Sequence, residues 1–343
     1  MRGREGCGRC VSSSLFFSVS SVVEDPTIGV ENFRLDPAAL AAKIAPLSWG
    51  NGVWRGLAEG NGRVPPREPL ITIRRSVGKA MIGRFRHFSL FLFVVLLSDA
   101  ACAEDWVDRR QEGRFQLYAN FSLDGSEQLV AELQRLERDM ATALGLKTTR
   151  EPVHLILFRD RASYDRYMEH YFRGAPARRA LFIKGSTPGW VFAYQNADYA
   201  IDLRHETAHA LLHGELPDVP LWLDEGLAEY YEVTADRRVH GNPYLSTTKW
   251  EAWLLRVPSL GKLESLQDVS RMSRADYRAA WSWVHFMLHG PQDAQRVLAE
   301  YLADMREHRV PGNFNDRLHA ALPDLEKQYL KHFRSFPARK PPE

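Results

Sequence analysis

The chain has 343 residues, of which 45% are hydrophobic and 26% charged, with a formal net charge of +2. That is enough apolar material for one large core or two small ones. From residue 104 onward, however, 35 acidic side chains face 32 basic ones, and all three cysteines (Cys7, Cys10 and Cys102) lie earlier. Net charge thus gives no ground for a nucleic-acid partner, and the larger part of the chain must be held by its core rather than by disulfides.

Residues 1–80 scatter Gly, Ser, Arg and Pro without lasting periodicity, and the lone Cys7-x-x-Cys10 lacks the second pair a zinc ribbon needs. At Met81 a basic stretch (Arg84, Arg86) leads into the apolar run Phe88–Leu97 and then Ala101-Cys102-Ala103. This reads as a secretory signal peptide over 81–103, too short in its apolar run to span a bilayer core of about 30 Å. Met81 is therefore the expected initiator and residues 1–80 an over-extended reading frame. After cleavage no stable membrane anchor is expected, and the location is periplasmic or secreted.

Beyond residue 104 the pattern predicts a strand over 114–120 and an amphipathic helix carrying Leu129, Leu133, Leu136, Met140 and Leu144, stopped at Gly145. A buried strand follows over 153–158, then a helix over 161–172 with Tyr164, Tyr167, Met168 and Tyr171 on one face. Short strands are expected at 180–184, 190–195 and 199–201, with 185–189 as a turn. Asp202 is the expected N-cap of the next helix, which runs to His213 and ends at Gly214. Pro217 and Pro220 force a turn into a second helix over 221–231. Residues 234–248 read as loop, and the rest as helices over 249–255, 274–288, 292–307, 313–322 and 325–333, with a frayed tail at 337–343.

The chemistry concentrates in His205-Glu206-Thr207-Ala208-His209 and in Leu221-Trp222-Leu223-Asp224-Glu225-Gly226-Leu227-Ala228-Glu229-Tyr230-Tyr231. Helix positions four apart share a face, so His205 and His209 can converge on one metal ion while Glu206 sits beside it. Zinc hydrolases need this division: two neutral nitrogens and a carboxylate hold the ion, and a separate carboxylate takes a water's proton. Glu225 offers the missing carboxylate, and His213 shares the face without being needed as a ligand. Either Glu229 or Asp224 can accept the outer N–H of a ligand histidine.

The pair H-E-x-x-H and W-L-x-E-G-x-A-E-Y resembles the gluzincin metallopeptidases of the MA clan, which include thermolysin and the zinc aminopeptidases, and is most similar to small bacterial peptidase MA-like proteins. The resemblance implies an α+β, zincin-like fold: a small mixed sheet with N-terminal helices, the zinc helix, and a C-terminal helical half. The domain would cover 104–336, divided at 214/215. It also implies His205, His209 and Glu225 as Zn2+ ligands and Glu206 as general base. The metzincin pattern is excluded, because Leu212 and Glu215 stand where a glycine and a third histidine would be needed. Trp190–Tyr194 would border the cleft and pair with an extended substrate, or be an ordinary interior strand; Tyr277 would supply an oxyanion donor, with His285 and His289 as substitutes, or simply pack within its helix. No Gly-x-Met-Glu-Asn-type segment precedes the zinc helix, which favours an endopeptidase acting on peptide or protein over an aminopeptidase. The alternative is a non-catalytic, zinc-stabilised module that binds peptide or cell-envelope partners.

Overall fold

The computed structural model describes residues 106–147, 151–184, 189–216 and 218–337. The expected extension 1–80, the leader 81–103, the turn residues 185–188, Pro217 and the tail 338–343 lie outside the described residues. The chain divides into two compact units. The described part of the second is Tyr167–Ala175, where the Tyr167 ring packs on Tyr171 and Phe172. Everything below concerns the first.

The class is α+β. Five strands, β1 (Asp108–Glu112), β2 (Phe115–Ala119), β3 (Val153–Phe158), β4 (Ala180–Lys184) and β5 (Gly189–Tyr194), form one mixed sheet in the order β1-β2-β3-β5-β4. The outer pairs are antiparallel and the two central pairings parallel. All six residues of β3 are buried, as befits a strand covered on both faces. One face, bearing Leu117, Leu155, Phe182 and Val191, packs on α1 (Glu127–Leu144) and α3 (Tyr199–His213), between which in the chain stands α2 (Arg161–Tyr171). The other carries an aromatic row in which His154 lies flat on Trp190, with ring centroids 3.9 Å apart.

Strand β1 escapes sequence reading because Asp-Arg-Arg-Gln-Glu has no apolar alternation. It is a charged edge strand, joined to β2 by a two-residue turn at Gly113 (φ +63°). Two further expectations need correction. Residues 199–201 are the first turn of α3 rather than a strand, and Asp198, not Asp202, stands at its N-cap. Asp202 is fully buried instead, and takes hydrogen bonds from Arg179 (2.8 Å) and Asn196 (3.2 Å). The Asn196 side chain accepts from the Asp198 N–H at 2.8 Å, so an Asx turn starts the helix four residues earlier than a capping reading places it.

After α3 the described elements are helical: α4 (Leu221–Tyr231), α5 (Leu245–Trp253), α6 (Leu260–Glu264), α7 (Arg274–His289), α8 (Gln292–Arg306), α9 (Phe314–Ala321) and α10 (Leu325–Ser335), with a 3-10 turn at Val269–Arg271. Helix α5 begins inside the expected loop because Asn242 caps the preceding turn through the Tyr244 N–H. No helix among the described residues is long and apolar enough to cross a membrane.

Helices α4 and α7 approach closely at Gly226. A Cβ there would stand 2.8 Å from the Ala280 carbonyl oxygen and 2.9 Å from Val284 Cγ2. This glycine seats the helix that carries Glu225 against the interior. Gly226→Ala is expected to lower unfolding free energy by about 1–3 kcal/mol in urea titrations; an unchanged midpoint would contradict the close approach.

Candidate metal centre

Helix α3 is unusual in being buried all round: every residue from Asp202 to Leu212 is inaccessible. Such a helix belongs to a core, yet this one carries Asp202, Arg204, His205, Glu206 and His209, each of which needs a partner where water is absent. The partners come from every side. Arg204 pairs with Glu132 of α1 at 2.7 Å and donates to the Glu232 carbonyl. Glu206 Oε2 accepts from the Phe182 N–H of β4 at 2.8 Å. The two histidines turn toward α4.

His205, His209 and Glu225 come together, with one ligand atom of each lying within 4.8 Å of the others, all at 0% exposure. His205 Nε2 is 3.7 Å from Glu225 Oε2, which is too long for a hydrogen bond. Two ligands about 2.0–2.1 Å from a tetrahedral zinc ion would stand about 3.4 Å apart, so the gap matches the ion to a few tenths of an ångström. His205 Nε2 and both Glu225 carboxylate oxygens are buried and take no hydrogen bond within the protein. Leaving a buried carboxylate unsatisfied is costly, and a cation among these atoms removes the cost. The donor set, two imidazoles and one carboxylate, suits zinc.

The outer nitrogens are fixed. His205 Nδ1 is 3.1 Å from Glu232 Oε2, and His209 Nδ1 is 2.8 Å from Asp224 Oδ1. Each carboxylate holds the proton on Nδ1 and leaves Nε2 as the nitrogen facing the centre. The other Asp224 oxygen meets His213 Nε2 at 3.0 Å, which occupies His213 away from the centre. Burial alone would raise the Asp224 pKa, but His209 and His213 outweigh it and hold the carboxyl at about 2. Burial pulls the His205 pKa down, yet Glu225 and Glu232 drive it well above the usual imidazole value; His209 moves the same way under Asp224. Glu225 itself is pushed up by burial. The carboxylates around the two histidines thus favour positive charge at this place.

Of the two candidates for outer partner, Asp224 takes that position toward His209. Glu229 instead groups with His205 and Glu232, a second set of three that could hold a metal; burial and the Glu232 carboxylate push its pKa well above the usual range, and the Tyr244 hydroxyl donates to it. Glu232 is the residue that sequence reading missed. Its signal was available: it stands seven residues after Glu225, about two helical turns on, where it caps α4.

Tyr277 lies in the first turn of α7, in an apolar cluster with Val269 and Met272, beside Leu221 at the start of α4. His285 is engaged by His332 and the Val239 carbonyl, both at 3.0 Å, and His289 Nε2 by the Tyr230 hydroxyl at 2.7 Å. These two histidines belong to a buried cluster behind the centre. The strand at the open edge of the sheet beside Glu206 is β4, whereas Trp190–Tyr194 is interior, paired on both sides.

No family model and no curated protein sequence matches the chain. Among solved structures it is similar to the crystal structure of an M1 zinc metallopeptidase from Deinococcus radiodurans, with 18% identity and a TM-score of 0.40, over 67% of this chain and 52% of that one. A point mutant of the same enzyme matches at 19% identity and a TM-score of 0.38, over 69% and 52%. The chain spans about half the length of the structures it matches. The geometry of the site, rather than this likeness, carries the functional reading.

The histidine cluster behind the centre yields a pH prediction. Burial lowers His289 and His332 to about 4, and His285 well below its usual value. All three are neutral when folded, while the unfolded chain protonates them near pH 6.5. Their contribution is complete above about pH 6.5 and is lost as pH falls toward 4, by up to about 1.4 kcal/mol per pH unit per histidine. Urea melts between pH 7.5 and 4.5 should show this slope and a shallower one for His332→Gln; equal slopes would contradict it.

Proposed function

We propose that this protein is a zinc-dependent peptidase, exported to the periplasm or secreted, with a zincin-like, gluzincin-type arrangement. The observation that carries the reading is the count of ligands. A structural zinc site is closed by four protein ligands, whereas a catalytic one keeps a vertex for water or substrate. Among the described residues the group around His205, His209 and Glu225 has three members. Of the two side chains best placed in sequence to be a fourth, His213 is held by Asp224, and Glu229 falls in a separate group with His205 and Glu232 rather than with His209 and Glu225.

His205, His209 and Glu225 would hold the ion, whose Lewis acidity acidifies water and polarises a carbonyl oxygen when bound. Glu206 is the base. It follows His205 directly in α3, is itself wholly buried, and is positioned through Oε2 by the Phe182 N–H; its carboxylate takes up the water's proton. The same carboxyl then returns that proton to the leaving amine. Phe182 also aligns β4. Its N–H points away from β5 toward Glu206, so the backbone groups of Ala180 and Lys184, two residues to either side, lie on the same open edge. An extended peptide added along that edge is held by main-chain hydrogen bonds that accept many sequences, which suits an endopeptidase acting on peptide or protein. Tyr277, near the start of α4, is the proposed donor to the oxyanion.

The alternative, a zinc-stabilised binding module, gains nothing from a carboxylate at position 206. Glu206→Gln separates the two readings. The variant should bind zinc as tightly as the parent and lose peptide hydrolysis by at least about a hundredfold. Full hydrolysis by the variant, or none by the zinc-loaded parent across a mixed peptide library, would count against a peptidase.

A further inference from the structure

Seven large hydrophobic residues are exposed among the described residues, and four of them fall within six positions: Trp250 (65%), Trp253 (63%), Leu254 and Leu255 (69%). Trp250 and Trp253 are three apart on α5, and Leu254 follows Trp250 by four, so these three share one face of the helix. Leu255 adopts φ +61°, a left-handed conformation that costs a branched side chain roughly 1–2 kcal/mol. The Leu255 N–H bonds to the Ala252 carbonyl and the Arg256 N–H to that of Glu251, so this left-handed residue ends α5.

Helix α10 packs beside α5 and contributes a second row. Lys327, Lys331 and Arg334, at helical spacing, line a shallow cavity of about 450 Å³ with Trp253, Leu255, Leu330 and Ser335. Arg334 lies over the Trp253 ring at 5.7 Å and donates to the Ala252 carbonyl at 2.9 Å, which ties the two rows together. Lys327 is paired with Asp324, but the cavity is lined by three cations and no carboxylate. Glu251 of α5 is turned away, onto Arg278.

We propose that this face is a peripheral docking surface for an anionic phospholipid membrane. Tryptophan rings and leucines beside a row of lysines fit the headgroup boundary, where indoles settle and long cationic stems reach up to phosphate. A protein interface core is by contrast depleted in lysine. The attachment is reversible and separate from any spanning anchor. It would keep an exported enzyme at the envelope surface, where its substrates are concentrated.

The test uses the full chain with phosphatidylglycerol and phosphatidylcholine vesicles, some bearing brominated acyl chains. The parent should partition onto phosphatidylglycerol, less so at high salt, with part of its tryptophan fluorescence quenched by bromine. Trp250→Ser/Trp253→Ser should weaken partition at least about tenfold and abolish that quenching. Lys331→Glu, which leaves the apolar row intact, should weaken it about fivefold or more. The apolar run Phe88–Leu97 is common to all variants, so the difference from the parent is what is read. Equal partition and quenching in parent and variants would overturn the proposal. So would loss of self-association in the tryptophan variant with partition unchanged, which would assign the surface to a second copy of the chain.

Discussion

Everything around the centre follows from placing ionisable side chains on a helix that has no solvent face. In the interior a lone imidazole or carboxylate is expensive, so each charged or polar group on α3 must find a partner on a different element. Arg204 reaches α1, Glu206 reaches β4, and His205 and His209 reach α4. These contacts fix the rotation of α3 about its axis and the height of α4 against it. After that, His205 and Glu225 still face each other with a nitrogen and two oxygens unsatisfied, and a divalent cation among them would satisfy these atoms.

The outer contacts matter as much as the inner ones. Asp224, next to Glu225 on α4, and Glu232, the residue that caps that helix, each grip the far nitrogen of a different histidine. One eleven-residue helix and its cap would therefore supply the third ligand of the proposed centre and orient the other two. Gly226, next to Glu225, lets α7 press on α4 so closely that the arrangement has little room to relax. The centre is thereby preformed by the fold, which limits the reorganisation that metal binding demands.

Much of this was legible in the chain. The spacing of His205, Glu206 and His209, and the apolar approach to Glu225, bring His205, His209 and Glu225 together as expected, because helical periodicity is a local property. Strands 153–158 and 180–184 were also plain, since continuous apolar runs between breakers signal buried strands. What was not legible depends on contacts between distant segments. Strand β1 has no pattern of its own and exists only through pairing with β2. Asp202 looks like a cap until Arg179 claims it. Which strand forms the open edge follows from topology, and no local pattern distinguishes β4 from β5. Glu232 lay in plain view but fell outside the motif, and periodicity along α4 was the clue.

Zinc content and coordination of the purified full chain test the account most directly, measured by elemental analysis and X-ray absorption at the zinc edge. One zinc per chain, bound by two imidazole nitrogens and carboxylate oxygen with an exchangeable water, and lost in Glu225→Ala, is the predicted result. A folded protein that takes up no zinc, or a zinc environment unaltered when Glu225 is replaced, would contradict it.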